Sequence, residues 1–195
     1  MTRSEKVYRD SEGQIWFSTS GGVVRWDAAS TNLVDAGIGG AGMAMHRDAQ
    51  GTWWTGGGSG LKRRTAGSSV NYRKADGLAS DQVQTIAPDH NGVLWVGTGG
   101  GLSRFEEEGL QVLSTKDGLP ENVVTRVVVA PDGSVWFTCP QNAGDILCRY
   151  DGRSITRFGR EHGLGAGAIG GLHVDTDGTV WVGAGGNDGR GGYRT

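Results

Sequence analysis

The sequence predicts an all-β fold, a β-propeller of five four-stranded antiparallel blades whose last blade is incomplete. Three observations carry this. A Gly-x-x-Trp pair recurs five times, at Gly13/Trp16, Gly51/Trp54, Gly92/Trp95, Gly133/Trp136 and Gly178/Trp181, with Trp spacings of 38, 41, 41 and 45 residues. Asp10, Asp48, Asp89 and Asp175 each stand three residues before their glycine, and Ala130 takes that place in the fourth copy. No stretch shows the 3.6-residue period of a helix. Short strands repeated at this interval make propeller blades; a solenoid, the alternative, usually has fewer elements per repeat.

Each unit reads as strand, turn, strand, turn, strand, loop, strand. The first strand has an apolar residue three positions before the turn Asp or Ala, namely Val7, Met45, Ile86, Val127 or Leu172, expected to face the packing. In the D-x-x-G turn the carboxylate accepts from backbone N–H groups and glycine supplies a positive φ. The second strand carries the tryptophan, expected to pack between adjacent blades. After a glycine-rich turn the third strand ends near Arg25, Arg63, Arg104, Arg149 or Arg194.

Polar, β-branched runs follow as outer strands in four copies: TNLVD, SVNYRK, LQVLST and SITRF. The fifth copy has none before Thr195. DGLASDQV, DGLPENVV, HGLGAGAI and the degenerate AGIGGAGM link one unit to the next. The expected organisation is a single domain over 1–195, with repeats at 1–37, 38–78, 79–119, 120–164 and 165–195.

Composition excludes several classes. Thirty-seven glycines without a G-X-Y period exclude collagen and indicate turns. Nineteen Lys+Arg against 21 Asp+Glu give a net charge of -2, so nucleic acid is not an expected partner. No apolar run reaches the roughly 20 residues of a membrane span, and MTRSEKVYRD has no apolar signal-peptide core, so no membrane is expected in this chain. Cys139 and Cys148 flank the insertion PQNAGDIL near facing hairpin positions. A disulfide and two free thiols are both open readings.

The runs DGLPENVVTRVVVAPDGSVWFTC and DGLASDQVQTIAPDHNGVLWVGTGGGLSRF resemble the two-component regulator propeller repeat. Units three and four follow that pattern most closely, and units one and two are degenerate. The resemblance implies a sensor propeller that binds saccharides or other small molecules outside the inner membrane. It also implies a ring of roughly seven blades or multiples of them, more than the five units counted here. Periplasmic location follows if the chain is part of such a sensor, cytoplasmic if it is complete as given. Other propeller types fit less well. The Trp-Asp pair Trp26-Asp27 occupies the aromatic place after the Arg, not that of a WD repeat, and Asp stands three residues before Gly rather than two as in sialidase-type Asp boxes.

Residues that break the repeat are the candidates for function. His46 and His173 lie two residues before their turn Asp, with Tyr8 at the matching place in unit one, so the three can converge as ligand-binding groups or as an acid and base. The plain alternative is that each His packs beside its neighbour. Arg126, with Lys6 at the matching position, adds positive charge to the inner strands. Asp76, Asp81, Asp117, Glu121 and Asn122 lie in the linking loops, where ligand specificity can vary on a rigid scaffold. The five Arg can hold an anion, though once-per-blade residues ordinarily make repeated structural contacts.

The expected function is ligand recognition, with a small molecule or saccharide bound through loops at one end of the ring. No cofactor and no metal are expected. Two alternatives stand: a metal-assisted lyase or hydrolase at the axial mouth using His46 or His173, and an assembly propeller whose incomplete last blade is completed by a second chain, giving a homo-oligomer.

Overall fold

The computed structural model describes residues 4–10, 12–19, 22–38, 44–106, 109–141, 144, 146–165, 167–185 and 193–194. The degenerate link AGIGGAGM, the insertion PQNAGDIL and the terminal Thr195 fall partly or wholly outside them, as do the side chains of Lys6 and Arg194.

Among the described residues nineteen strands form five antiparallel sheets in sequence order. The first blade holds β1 (Ser4–Arg9), β2 (Ile15–Thr19), β3 (Gly22–Asp27) and β4 (Asn32–Ile38), and the second β5 (Ala44–Arg47), β6 (Trp53–Gly57), β7 (Gly60–Arg64) and β8 (Ser69–Tyr72). The third holds β9 (Val83–Pro88), β10 (Leu94–Thr98), β11 (Gly101–Glu106) and β12 (Gly109–Leu113). The fourth holds β13 (Arg126–Val129), β14 (Val135–Cys139), β15 (Ile146–Tyr150) and β16 (Ile155–Phe158). The fifth, among the described residues, has three strands: β17 (Ala168–Val174), β18 (Val180–Gly185) and β19 (Tyr193–Arg194).

The turns follow the sequence reading. Gly13, Gly51, Gly92, Gly133 and Gly178 all adopt φ between 80° and 86°, a region closed to most other residues. The Asp10 carboxylate accepts from the N–H groups of Glu12 and Gln14 at 3.0 and 2.8 Å, and Asp48 and Asp89 repeat the arrangement. Where Ala130 replaces Asp, the carboxylate of Asp132 caps the turn instead, accepting from Ser134 N–H at 2.9 Å.

The linking loops are one-turn 3-10 helices at Lys74–Asp76, Thr115–Asp117 and Arg160–His162. Each ends on a left-handed glycine, Gly77, Gly118 or Gly163, followed by a leucine that plugs the core: Leu78, Leu119 or Leu164. The D-G-L signature thus encodes a turn together with an anchor.

Blades pack face to face in series, β1 on β5, β5 on β9, β9 on β13 and β13 on β17. The tryptophan face of each blade meets the opposite face of the next. Trp54 lies in one core with Val83, Leu94 and Val96 of the third blade, and Trp95 with Val127, Val135 and Phe137 of the fourth. Trp16 packs edge-on against Trp53 at 4.6 Å.

One expectation is corrected at the start of this series. Met45 and Val127 are buried and Ile86 and Leu172 half-buried, but Val7 is 64% exposed. Its counterparts Met45, Ile86, Val127 and Leu172 each pack in one core with the tryptophan of the unit before them.

Candidate functional site

Cross-strand register places one residue per strand in a transverse row on the tryptophan face: Tyr8–Trp16–Arg25, His46–Trp54–Arg63, Ala87–Trp95–Arg104, Val128–Trp136–Arg149 and His173–Trp181–Arg194. This row explains the recurring arginine. The guanidinium carbons of Arg63, Arg104 and Arg149 lie 5.5, 5.6 and 5.9 Å from the ring centroids of Trp54, Trp95 and Trp136, within the range of a cation–π attraction. In the first blade Arg47, from the next blade, takes that place over Trp16 at 5.9 Å.

The turn Asp has a second role that spacing alone does not reveal. The indole N–H donates to the turn carboxylate from Trp16 to Asp10 at 2.9 Å, Trp54 to Asp48 at 3.4 Å and Trp181 to Asp175 at 2.6 Å. In the fourth blade, where the Asp is absent, Arg149 pairs with Asp132 at 3.0 Å instead.

Of the inner-strand candidates, the structure brings together Tyr8 and His46. The Tyr8 hydroxyl lies 3.1 Å from His46 Nδ1 and 3.1 Å from the Arg47 carbonyl oxygen. Burial lowers the pKa of His46, against the opposing pull of Asp48, so the ring is held towards its neutral form. Burial also raises the pKa of Tyr8. His173 bonds within its own turn instead, 3.1 Å from Asp175, with its side chain 71% exposed. Arg126 donates from Nε to the Gly170 carbonyl at 3.0 Å, tying the fourth blade to the fifth.

The loop candidates hold their own loops. Asp81 accepts from Lys74 N–H at 2.6 Å, and Asn122, at the matching position, accepts from Thr115 N–H at 3.0 Å. Glu121 accepts from the N–H of Asn122 at 2.7 Å, and Asp76 and Asp117 accept from Arg73 and Ser114 N–H at 2.9 Å each. Cys139 and Cys148 are free thiols, both fully buried. They are diagonal rather than directly opposed, since Cys139 pairs with Ile146 and Cys148 with Phe137. No group of three or more His, Cys, Asp or Glu that could hold a metal occurs among the described residues.

Sequence reasoning missed a cleft of about 1330 Å³ between the second and third blades. One wall is the His46–Trp54–Arg63 row with Asn71 and Tyr72 of the outer strand; the other is the Pro88–Val93 turn with Phe105 and Glu106. Tyr72 and Phe105 meet edge to face at 4.8 Å and both lie against Trp54. The sequence signal was the run VNYRK, which puts a polar amide beside an aromatic on an outer strand. A smaller cleft of about 490 Å³ repeats the design between the fourth and fifth blades, with Trp136, Arg149 and Phe158 facing the Thr176–Gly178 turn.

Comparison with known proteins agrees with the fold. The family model described as two component regulator propeller matches residues 77–100, the link and first hairpin of the third unit. No curated protein matches the chain in sequence.

Among solved structures, the extracellular domain of the hybrid two component system BT3049 from B. thetaiotaomicron is 21% identical with a TM-score of 0.76, covering 94% of this chain and 27% of that one. A catalytically inactive virginiamycin B lyase from Staphylococcus aureus with quinupristin is 16% identical with a TM-score of 0.70, covering all of this chain and 70% of that one. A gluconolactonase from Xanthomonas campestris is 15% identical with a TM-score of 0.62, over 94% of this chain and 72% of that one. Identities this low establish a shared fold and no shared chemistry. The chain spans about a quarter of the length of the two component system extracellular domain it matches. It is a β-propeller chain in which residues 77–100 match the two component regulator propeller repeat, on a fold shared with the extracellular domain of a hybrid two component system.

Proposed function

We propose that the chain is a ligand-recognition module of sensor type, and that it binds a saccharide in the cleft between its second and third blades. The observation that carries this is the composition of that cleft. Its volume of about 1330 Å³ exceeds the roughly 300–1,000 Å³ of a drug-sized pocket and suits an extended ligand. The half-buried Tyr72 and Phe105 offer apolar ring surface for sugar C–H groups, while Asp48, Asn71, Asn91 and Glu106 supply acceptors and amide donors for hydroxyls. His46, held towards its neutral form, adds a ring nitrogen without fixed charge.

The test is a screen of the full chain against an immobilised glycan array, followed by calorimetric titration of any sugar retained. Tyr72→Ala and Asn91→Ala are each expected to weaken binding at least tenfold, while Thr176→Ala in the smaller cleft leaves it unchanged. An array with no retained sugar, or binding indifferent to both cleft variants, would overturn the reading.

A further inference from the structure

The outer hairpin of the second blade breaks the repeat with positive charge. Between Asp48 and Asp76 the sequence has no Asp or Glu, yet it holds Lys62, Arg63, Arg64, Arg73 and Lys74, in a chain whose net charge is -2. All five are exposed. Strand alternation divides them between two faces. Leu61 enters the core shared with the third blade and Arg63 lies over Trp54, so Lys62 and Arg64 stand on the opposite face of β7, away from the cleft. Arg73 joins them: a Cβ on Gly60, two residues before Lys62, would stand 3.3 Å from its Cγ.

Register shows that these positions are peculiar to the second blade. Arg64 stands where the first, third and fourth blades have an aromatic, Trp26, Phe105 and Tyr150, and Lys62 where they have Val24, Ser103 and Cys148. Arg73 takes the place of Ser114 and Gly159 before the linking turns. Blade packing does not call for the change. Phe105 and Tyr150 cover the preceding blade's tryptophan at 5.1 and 5.9 Å, and in the second blade Trp53 makes that contact with Trp16 at 4.6 Å.

Lys62 and Arg64 line a hollow of about 310 Å³ together with Thr55 and the 65–69 loop. Thr65 N–H donates to the Ser68 carbonyl at 2.9 Å and Ser68 N–H to Thr65 Oγ1 at 3.1 Å, which fixes the loop beside the two cations. Among the described residues the lining carries no carboxylate. Side chains two residues apart on a strand are about 7 Å apart, inside the screening length of about 10 Å at about 0.1 M salt. The cations therefore repel one another when the hollow is empty and act jointly on an anion that enters it. From Arg64 past Lys62 to Arg73 the row spans roughly 14 Å, too long for one oxyanion and suited to a short acidic chain. Thr55, Ser68 and Ser69 offer hydroxyls beside it, not the aromatic platforms on which nucleic-acid bases stack.

We infer that this face of the second blade binds an acidic oligosaccharide, one bearing sulfate or carboxylate groups, at a site separate from the cleft. Lys62, Arg64 and Arg73 hold the anionic groups through charge-assisted hydrogen bonds, and the threonine and serine hydroxyls meet those of the sugar.

Fluorescence anisotropy of the full chain with a labelled heparin-derived hexasaccharide tests this. The expected result is binding that Lys62→Gln and Arg73→Gln each weaken at least tenfold, with circular dichroism unchanged, and that neutral maltohexaose does not displace. Lys116→Gln, which removes an exposed cation from the Thr115–Asp117 turn, is expected to leave the affinity as it is. No binding, or equal losses in Lys62→Gln and Lys116→Gln, overturns the inference. A thymidylate hexanucleotide bound as tightly and with the same dependence on Lys62 overturns the saccharide assignment. A loss in Tyr72→Ala as large as in Lys62→Gln puts the acidic sugar in the cleft and overturns the second site. None of these outcomes decides whether the cleft holds a neutral sugar, which the glycan array reads separately.

Discussion

The Arg63 guanidinium carbon stands 5.5 Å from the centroid of the Trp54 ring, its direct cross-strand neighbour, and the same pair recurs as Arg104 over Trp95 and Arg149 over Trp136. One contact thereby accounts for two of the most regular positions in the sequence. The cation lies over an indole already committed to the next blade.

Arg63→Gln is therefore expected to lower stability by about 0.5–1 kcal/mol, the value of a partly exposed cation–π pair. Arg63→Lys should retain part of it. Urea denaturation of the three proteins checks this, and a neutral Arg63→Gln would remove the structural reading of the arginine.

His46 makes stability depend on pH. Burial lowers its pKa below the ordinary 6.5 in the folded chain, so below that value the unfolded chain binds more protons than the folded one. Its contribution is complete above pH 6.5 and is lost as the pH falls from there through the lowered folded value. Urea midpoints at about pH 7.5 and about pH 5 should differ less in His46→Gln than in the wild type.

The two cysteines should be unreactive in the folded chain. The Cys148 thiol is pushed far up by its hydrogen bond with Cys139 and by burial, leaving essentially no thiolate to attack a reagent. Titration with a chromogenic disulfide should find no accessible thiol in native protein and both after denaturation. A native thiol that reacts promptly would contradict their burial.

Much of the fold was legible because each unit repeats the same solution to the same packing problem. Gly13 and its four counterparts announce a positive φ, and Trp16 and its counterparts announce a blade interface. What repetition hides is contact between different units. The cleft with Tyr72 and Phe105 joins the outer strand of the second blade to the third strand of the next, and their meeting is set by how the two blades pack. The sequence likewise placed Asp81 and Asn122 in the linking loops, but only coordinates show that each pins its own loop. Tyr8 and His46 were legible as equivalents, yet their hydrogen bond arises because Tyr8 reaches across to the next blade.

The most direct measurement of the series packing compares Gly56→Ala with Gly183→Ala. A Cβ at Gly56 would overlap the Val83 side chain of the following blade, 2.8 Å from its Cβ, and stand 3.5 Å from Ile86 Cδ1, whereas at Gly183 the nearest described atom is 3.6 Å away in its own sheet. The account predicts that Gly56→Ala costs about 1–3 kcal/mol by overpacking and that Gly183→Ala stays within about 0.5 kcal/mol of the wild type. Equal losses at the two positions would contradict it.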